Sequence, residues 1–265
     1  MARETEKRTI QSVDRGCEIL ETLRRNGPST ISELAADSEL SAGSIHTYLA
    51  TLRDHGFVDK DGTQYRLGSM FIPFGVRVRN RSDLYAASKT ILQELAQETG
   101  GCVHLTREYD DRLLILEEVY GANAIGQEFH VEKRGRLQRH LHCTANGKSI
   151  LAYLSDDRVR ELLADHGLPS RTSHTITDRE TLLTELETIR EHGYARNDQE
   201  HMPGIRAVGA PIRRDEDGAV IGSVSVSGSA ASWTGTRFEE TIPAAVTEAA
   251  TDIEIRIHSR EREVW

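Results

Sequence analysis

The sequence predicts an α+β chain in two parts: an N-terminal winged helix-turn-helix, then a mixed sheet flanked by helices. Three observations carry this. The stretch SAGSIHTYLATLRDHGFVDKDGTQYRLG, residues 41–68, reads as a polar-faced helix followed by two short strands around Asp61-Gly62. The segment VIGSVSVSG, residues 220–228, alternates Val and Gly against Ile and Ser at strand period. Charge divides along the chain. Residues 1–80 hold eleven basic and eleven acidic side chains, so of the totals of 33 and 42, 22 basic and 31 acidic residues lie beyond position 80. The net charge of -9 therefore belongs to the C-terminal part, and the neutral first part can still present a positive face.

The first helix is expected over 10–24, with Ile10, Val13, Cys17, Leu20 and Leu23 on one inward stripe and Asn26-Gly27-Pro28 as the stop. Thr30 and Glu33 form a capping-box pattern for a short helix with Ile31, Leu34 and Ala35 inside, ending near Ser38. Ser41 caps the third helix, whose buried stripe is Ile45, Leu49 and Leu52. On its opposite side fall Gly43, Ser44, His46, Thr47, Ala50 and Thr51, small or hydroxyl-bearing residues that suit close approach to a groove. Lys60 and Arg66 on the wing, with Arg8 and Arg15 before it, are the phosphate candidates; Ser44, His46, Thr47 and Thr51 are those for base edges or nearby phosphates.

Residues 69–83 read as the linker between a winged domain, 1–68, and a second domain, 84–265. Its Met70, Phe71, Ile72 and Phe74 are more apolar than a free linker needs, which suggests packing on the winged domain or on a second subunit. A helix from Asp83 to Thr99, stopped by Gly100-Gly101, precedes a hairpin with its turn at Asp110-Asp111. A third strand is expected near 124–131. Helices follow at about 146–154, 157–166 and 177–192, the last capped by Thr177 and Glu180. Strands 205–212 and 220–226 and a helix from 237 to 257 complete the chain.

Taken together, QSVDRGCEIL (11–20), ISELAADSELSAGSIHTYLATLRDHGFV (31–58) and YRLG (65–68) resemble the N-terminal domain of IclR-type transcriptional regulators. HLHCTANGKSILAYL (140–154), REHGYARNDQEHMPGIRAVGAPI (190–212) and GSVSVSG (222–228) resemble that family's effector-binding domain. The resemblance implies a GAF-like mixed α/β effector domain joined to the winged domain by a linker helix. It also implies a homodimer or homotetramer, a near-palindromic double-stranded DNA operator, and repression or activation of metabolic genes. A small-molecule effector, commonly an organic or sugar acid, would be held by three segments: Thr144, Ala145, Asn146 and Gly147; Asn197, Asp198, Ile205 and Ala207; and Ser225 and Ser227. The family often has aspartate where Asn197 stands and a polar side chain or cysteine where Ala207 stands, so a ligand other than the glyoxylate or pyruvate type is expected. It frequently has arginine where Thr47 stands, so operator specificity cannot be borrowed from it.

Other chemistry finds less support. Gly147-Lys148-Ser149 imitates the end of a phosphate-binding loop, but His142 stands where that loop needs glycine. His140, His142 and Cys143, with His130 and His201 elsewhere, could hold zinc or copper, yet the same stretch matches the family's metal-free pocket loop. No cofactor or catalytic set is expected: Asp110-Asp111 is a turn, Ser225 has no identifiable His–Asp partners, and GSVSVSG lacks G-x-S-x-G. A small-molecule enzyme using the GAF-like cavity, with the winged domain as an oligomerisation element, is the alternative reading. The three cysteines suggest no disulfide framework, and neither a membrane span nor a secretory signal is visible, so a cytoplasmic protein is expected.

Overall fold

The computed structural model describes residues 9–125, 140–214 and 218–263, the last three by backbone alone. The chain forms two compact units, 1–79 and 80–265. Arg8, His130 and most of the strand expected at 124–131 lie outside the described residues.

In the first unit, α1 (Gln11–Asn26) ends at Gly27, whose φ of 81° suits glycine. Its buried residues are Ile19, Thr22 and Leu23, which corrects the expected stripe: Ile10 and Val13 are 69% and 58% exposed, and Cys17 is exposed too. The small core of Ile19, Leu23, Leu34, Ile45, Leu49, Val58 and Tyr65 meets only the second half of α1, so periodicity in its first half does not translate into burial. A two-residue strand, β1 (Ser29–Thr30), pairs with β3 and leads into α2 (Ile31–Ala36). The capping box is present: Thr30 Oγ1 accepts from Glu33 N–H at 3.3 Å, and Glu33 Oε2 accepts from Thr30 N–H at 2.7 Å. Ser41 caps α3 (Ala42–Asp54) by accepting from Ser44 N–H. The wing is β2 (Val58–Asp61) and β3 (Gln64–Leu67), in antiparallel register with Asp61 opposite Gln64. The turn is therefore Gly62-Thr63, with Gly62 at φ 59°, while Asp61 still belongs to the ladder. After Gly68, the helix α4 (Phe71–Asn80) covers most of the expected linker. Phe57 meets the rings of Phe71 and Phe74 at 5.3 and 5.5 Å, so the apolar linker residues pack in part on the wing.

The second unit is a five-stranded sheet between two helical layers, in the order β5-β4-β8-β7-β6. Its helix α5 (Asp83–Thr99) has the span and the glycine stop that the sequence predicts, with Gly100 in the left-handed conformation, and is capped by Ser82. The strands are β4 (Cys102–Tyr109), β5 (Arg112–Tyr120), β6 (Ala195–Asp198), β7 (Ile205–Arg213) and β8 (Val220–Ser229). Every described pairing is antiparallel, so the expected mixed sheet is an antiparallel one among these residues. Val103, Leu105, Val208, Ala210, Ile212, Val224 and Val226 form one face, buried against α5 and the last helix, α9 (Ile242–Glu263). Trp233 belongs to this core and lies against Gly228, where a Cβ would come within 2.2 Å of its ring.

The other face carries α6 (Ala145–Leu151), α7 (Asp156–His166) and α8 (Arg179–His192), with a core of Leu141, Ile150, Leu151, Val159, Leu162, Leu182, Leu186 and Ile189. The cap of α8 is Asp178, not Thr177 with Glu180. Asp178 Oδ2 accepts from Thr181 N–H at 2.8 Å, and a carboxylate competes well for that position because it also answers the helix dipole. Before α9, Arg237–Thr241 form a π turn rather than the first turns of the expected helix. Pro243 has no N–H to give Glu239 O, and Arg196 Nη2 donates to that carbonyl at 3.4 Å.

Candidate functional site

Two surfaces gather the residues singled out from the sequence, one in each unit. In the first, His46, Thr47 and Thr51 are exposed on α3, and Ser44 is half-buried. Thr47 Oγ1 donates to Gly43 O at 3.2 Å and Thr51 Oγ1 to Thr47 O at 3.1 Å. Each hydroxyl proton thus returns to the helix, leaving oxygen lone pairs to face outward as acceptors. Ser44 Oγ lies 3.0 Å from Ser41 Oγ. Arg15, Ser44, Thr47 and Thr51 line one cleft of about 700 Å³ between α1 and α3, whose apolar side includes Val13, Leu20, Phe57 and Phe71. This explains why Val13 and Cys17 look like core in sequence: they border a groove rather than fill an interior. His46 stands outside that cleft. Lys60 and Arg66 do not converge. Lys60 is opposite Tyr65 and carries its ammonium 5.4 Å from that ring, whereas Arg66 is opposite Asp59, on the other side of the ribbon, with Asp61 at 3.9 Å.

In the second unit the alternation of VIGSVSVSG separates two buried faces rather than a buried and a solvated one. Ser223, Ser225 and Ser227 are 0%, 3% and 9% exposed. A polar face beneath helices is costly unless its groups are satisfied or a ligand meets them. Register builds it in rows. Asn197, Ala207, Ser227 and Cys102 lie side by side, then Ala195, Gly209, Ser225, His104 and Glu118, then Pro211, Ser223 and Thr106. Ser223 donates to Asn146 Oδ1 at 2.7 Å, and its Oγ lies 2.9 Å from that of Thr106. Ser227 reaches Cys102 O at 3.4 Å. Ser225 makes no side-chain hydrogen bond among the described residues. Beside it, His104 Nε2 lies 3.4 Å from Glu118 Oε1 and 3.5 Å from Cys102 Sγ. Burial opposes charging of this ring, but the sulfur and the carboxylate prevail and raise its pKa to about 10.

The remaining predicted residues divide between this face and its supports. Thr144 Oγ1 accepts from Gly147 N–H at 3.0 Å, so the first turn of α6 is already capped in part. Gly147 is required there because a Cβ would lie 2.1 Å from Leu141 O. Asn197 Nδ2 donates to Cys143 O at 2.8 Å and its Oδ1 accepts from Glu200 N–H at 2.9 Å; both ends of this side chain position backbone. Asp198 points to the other face and takes two hydrogen bonds from Arg206, at 2.8 and 2.9 Å, which hold its carboxyl below the usual range. Ala207 is buried and Ile205 half-buried, on the same side as Ser227.

His140, His142 and Cys143 do not converge on a point. The two rings meet edge to face at 5.9 Å, His142 Nε2 is 3.2 Å from Pro169 O, and Cys143 Sγ is 3.7 Å from His201 Nδ1. Burial, reinforced by Glu200, pushes the Cys143 thiol up to about 12. Sequence reasoning missed His104 and Glu118, although strand period in CVHLT already puts Cys102, His104 and Thr106 on one side. It also missed the anchoring of Lys148, whose buried ammonium donates to Glu185 at 2.8 Å and Glu200 at 2.7 Å beneath α6.

Comparison with known proteins matches both parts of the chain to one family. A family model described as the IclR helix-turn-helix domain matches residues 12–62, and one described as the bacterial transcriptional regulator IclR C-terminal matches residues 76–255. The "Probable HTH-type transcriptional regulator ArcR" of Halobacterium salinarum is 38% identical, over 97% of this chain and 98% of its own length. The crystal structure of the Thermotoga maritima IclR is 30% identical with a TM-score of 0.72, over 94% of this chain and 99% of that one. An IclR homolog from Microbacterium hydrocarbonoxydans, solved in complex with 4-hydroxybenzoate, shares the fold at 21% identity and a TM-score of 0.79, over 94% and 99%.

Proposed function

The chain belongs to the IclR family of transcriptional regulators, and on that premise we propose that it is a ligand-responsive one, whose duplex binding is set by a small organic or sugar acid. The winged unit reads DNA: Ser44, His46, Thr47 and Thr51 meet base edges or nearby phosphates, and Arg15, Lys60 and Arg66 meet phosphates. A homodimer or homotetramer would set two recognition helices on a near-palindromic operator, with half-sites about 34 Å apart or a multiple of that. Residues 84–265 hold the effector, 1–68 hold the operator, and 69–83 join them, in the cytoplasm.

One observation carries the effector reading. The polar face of the sheet is buried, yet the Ser225 hydroxyl in its middle row has no protein partner among the described residues and stands beside the protonated ring of His104. A hydroxyl donor next to an imidazolium suits a carboxylate. The 4-hydroxybenzoate found on the Microbacterium homolog is a ligand of that class. An acid bound here would prefer one arrangement of the chain over another, so its affinity must depend reciprocally on DNA.

A thermal-shift screen of small carboxylates and sugar acids, followed by fluorescence anisotropy on the chain's own upstream DNA, tests this. A hit should move the DNA affinity in one direction, and DNA should move the affinity for the hit by the same factor. Affinity for the upstream duplex no better than for random duplex, whatever acid is added, would defeat the proposal.

A further inference from the structure

A second cleft in the C-terminal unit contains none of the residues assigned to the effector. It has a volume of about 400 Å³, within the range of small-ligand sites, at the junction of the start of α5, the end of β4 and the start of β8. Arg81, Arg107 and Arg214 line it, together with Asp83 and Glu108. Three guanidinium groups from three separate segments are notable in a part of the chain with 22 basic against 31 acidic residues. Elsewhere in this unit, Arg158, Arg190, Arg206 and Arg213 each hold a carboxylate. Arg81 and Arg107 make no ion pair or side-chain hydrogen bond among the described residues.

Three guanidinium groups against these two carboxylates leave the lining one positive charge in excess, and each carboxylate already has a use in the fold. Glu108 Oε1 accepts from Asp111 N–H at 2.8 Å and lies 3.8 Å from Arg158. Asp83 stands in the first turn of α5, where the helix dipole already favours a negative charge. The floor is made by glycine. A Cβ on Gly222 would lie 2.6 Å from Leu84 Cδ2 and 2.5 Å from Thr106 O, so only glycine lets the first turn of α5 settle against β4 and β8. Ser82 takes the Tyr85 N–H, and the N–H groups of Asp83 and Leu84 have no acceptor among the described residues.

We propose that this cleft binds a compact polyanion, a metabolite with two or more carboxylate or phosphate groups, held by Arg81, Arg107 and Arg214. Planar guanidinium groups grip such oxygens in pairs, which a monoanion cannot exploit to the same degree. Because Arg81 directly follows α4, an occupied cleft would order the residues that lead from the linker into α5.

Calorimetry on the full chain at constant ionic strength tests it, with inorganic pyrophosphate and citrate as separate probes and acetate as the control. At least one polyanion should saturate one site per chain while acetate does not, and the stronger probe tells phosphate from carboxylate. Arg81→Gln and Arg107→Gln should each weaken that binding by roughly tenfold or more, as expected for loss of a charged hydrogen bond. Hydrogen exchange on the unsubstituted chain with the same probe should protect 81–84 and 107. No saturable binding, affinity unchanged in both variants, or protection confined to 144–147 and 225 would overturn the proposal. The last outcome would place the anion on the polar face and leave the effector reading standing.

Discussion

Lys148 is 1% exposed, with its ammonium between Glu185 and Glu200. Removing one member of such a buried set leaves the others uncompensated. Lys148→Met should therefore destabilise the second unit by about 3–5 kcal/mol, read by denaturant unfolding. His104 gives a prediction in pH. Its pKa is raised from an ordinary 6.5 to about 10 in the folded chain. The stability it contributes is complete below about 6.5 and is lost as pH rises through about 10. Melts across that window should show a decline that His104→Gln removes. Ser225→Ala should weaken an effector acid by roughly tenfold with the fold intact, since it deletes a hydrogen bond to a charged group. Calorimetric affinity equal to that of the parent would remove Ser225 from the site. Of these residues, Ser225 alone shows its place on the polar side of its strand in the sequence, because strand alternation displays it directly. Whether a polar face is solvated or buried depends on what packs over it, and no local pattern records that. The same limit explains Asn197, whose side chain serves the backbone of Cys143 and Glu200 rather than pointing freely into a pocket.

At the level of elements, strongly periodic segments with clear stops were read almost to the residue. The helix Asp83–Thr99 is the clearest case, because Leu84, Ala87, Ile91 and Leu95 repeat at helical spacing and are buried, and Gly100 takes the left-handed conformation. Two short strands, β1 and β6, went unread: two residues and a charged ARND stretch carry no alternation to detect. The first helix misled for the opposite reason, since its periodic apolar residues border a groove. Capping can be tested where two residues competed for one role. Asp178→Ala should cost about 1 kcal/mol of stability, whereas Thr177→Ala should leave the unfolding midpoint nearly unchanged. Equal losses from both would return the cap to Thr177.

For the molecule as a whole, charge separation reconciles an acidic chain with duplex binding. A net charge of -9 sits beyond position 80, while residues 1–80 are neutral, with Arg15 on α1, Lys60 and Arg66 on the wing, and Arg77 and Arg79 on α4. Binding to the operator should weaken steeply with salt, and Lys60→Ala should reduce the slope of log affinity against log salt by about 1 at most. Anisotropy titrations at several potassium chloride concentrations would show it, and an unaltered slope would take Lys60 off the phosphate backbone. The chain also has only two tryptophans, Trp233 and Trp265, and neither is in the winged unit. The carbonyl of Trp233 receives Arg206, which in turn grips Asp198 beside Asn197. With Trp265→Phe, the indole emission would come from one buried fluorophore tied to the edge of the sheet. Ligand arrival could then be followed in real time without dye or label.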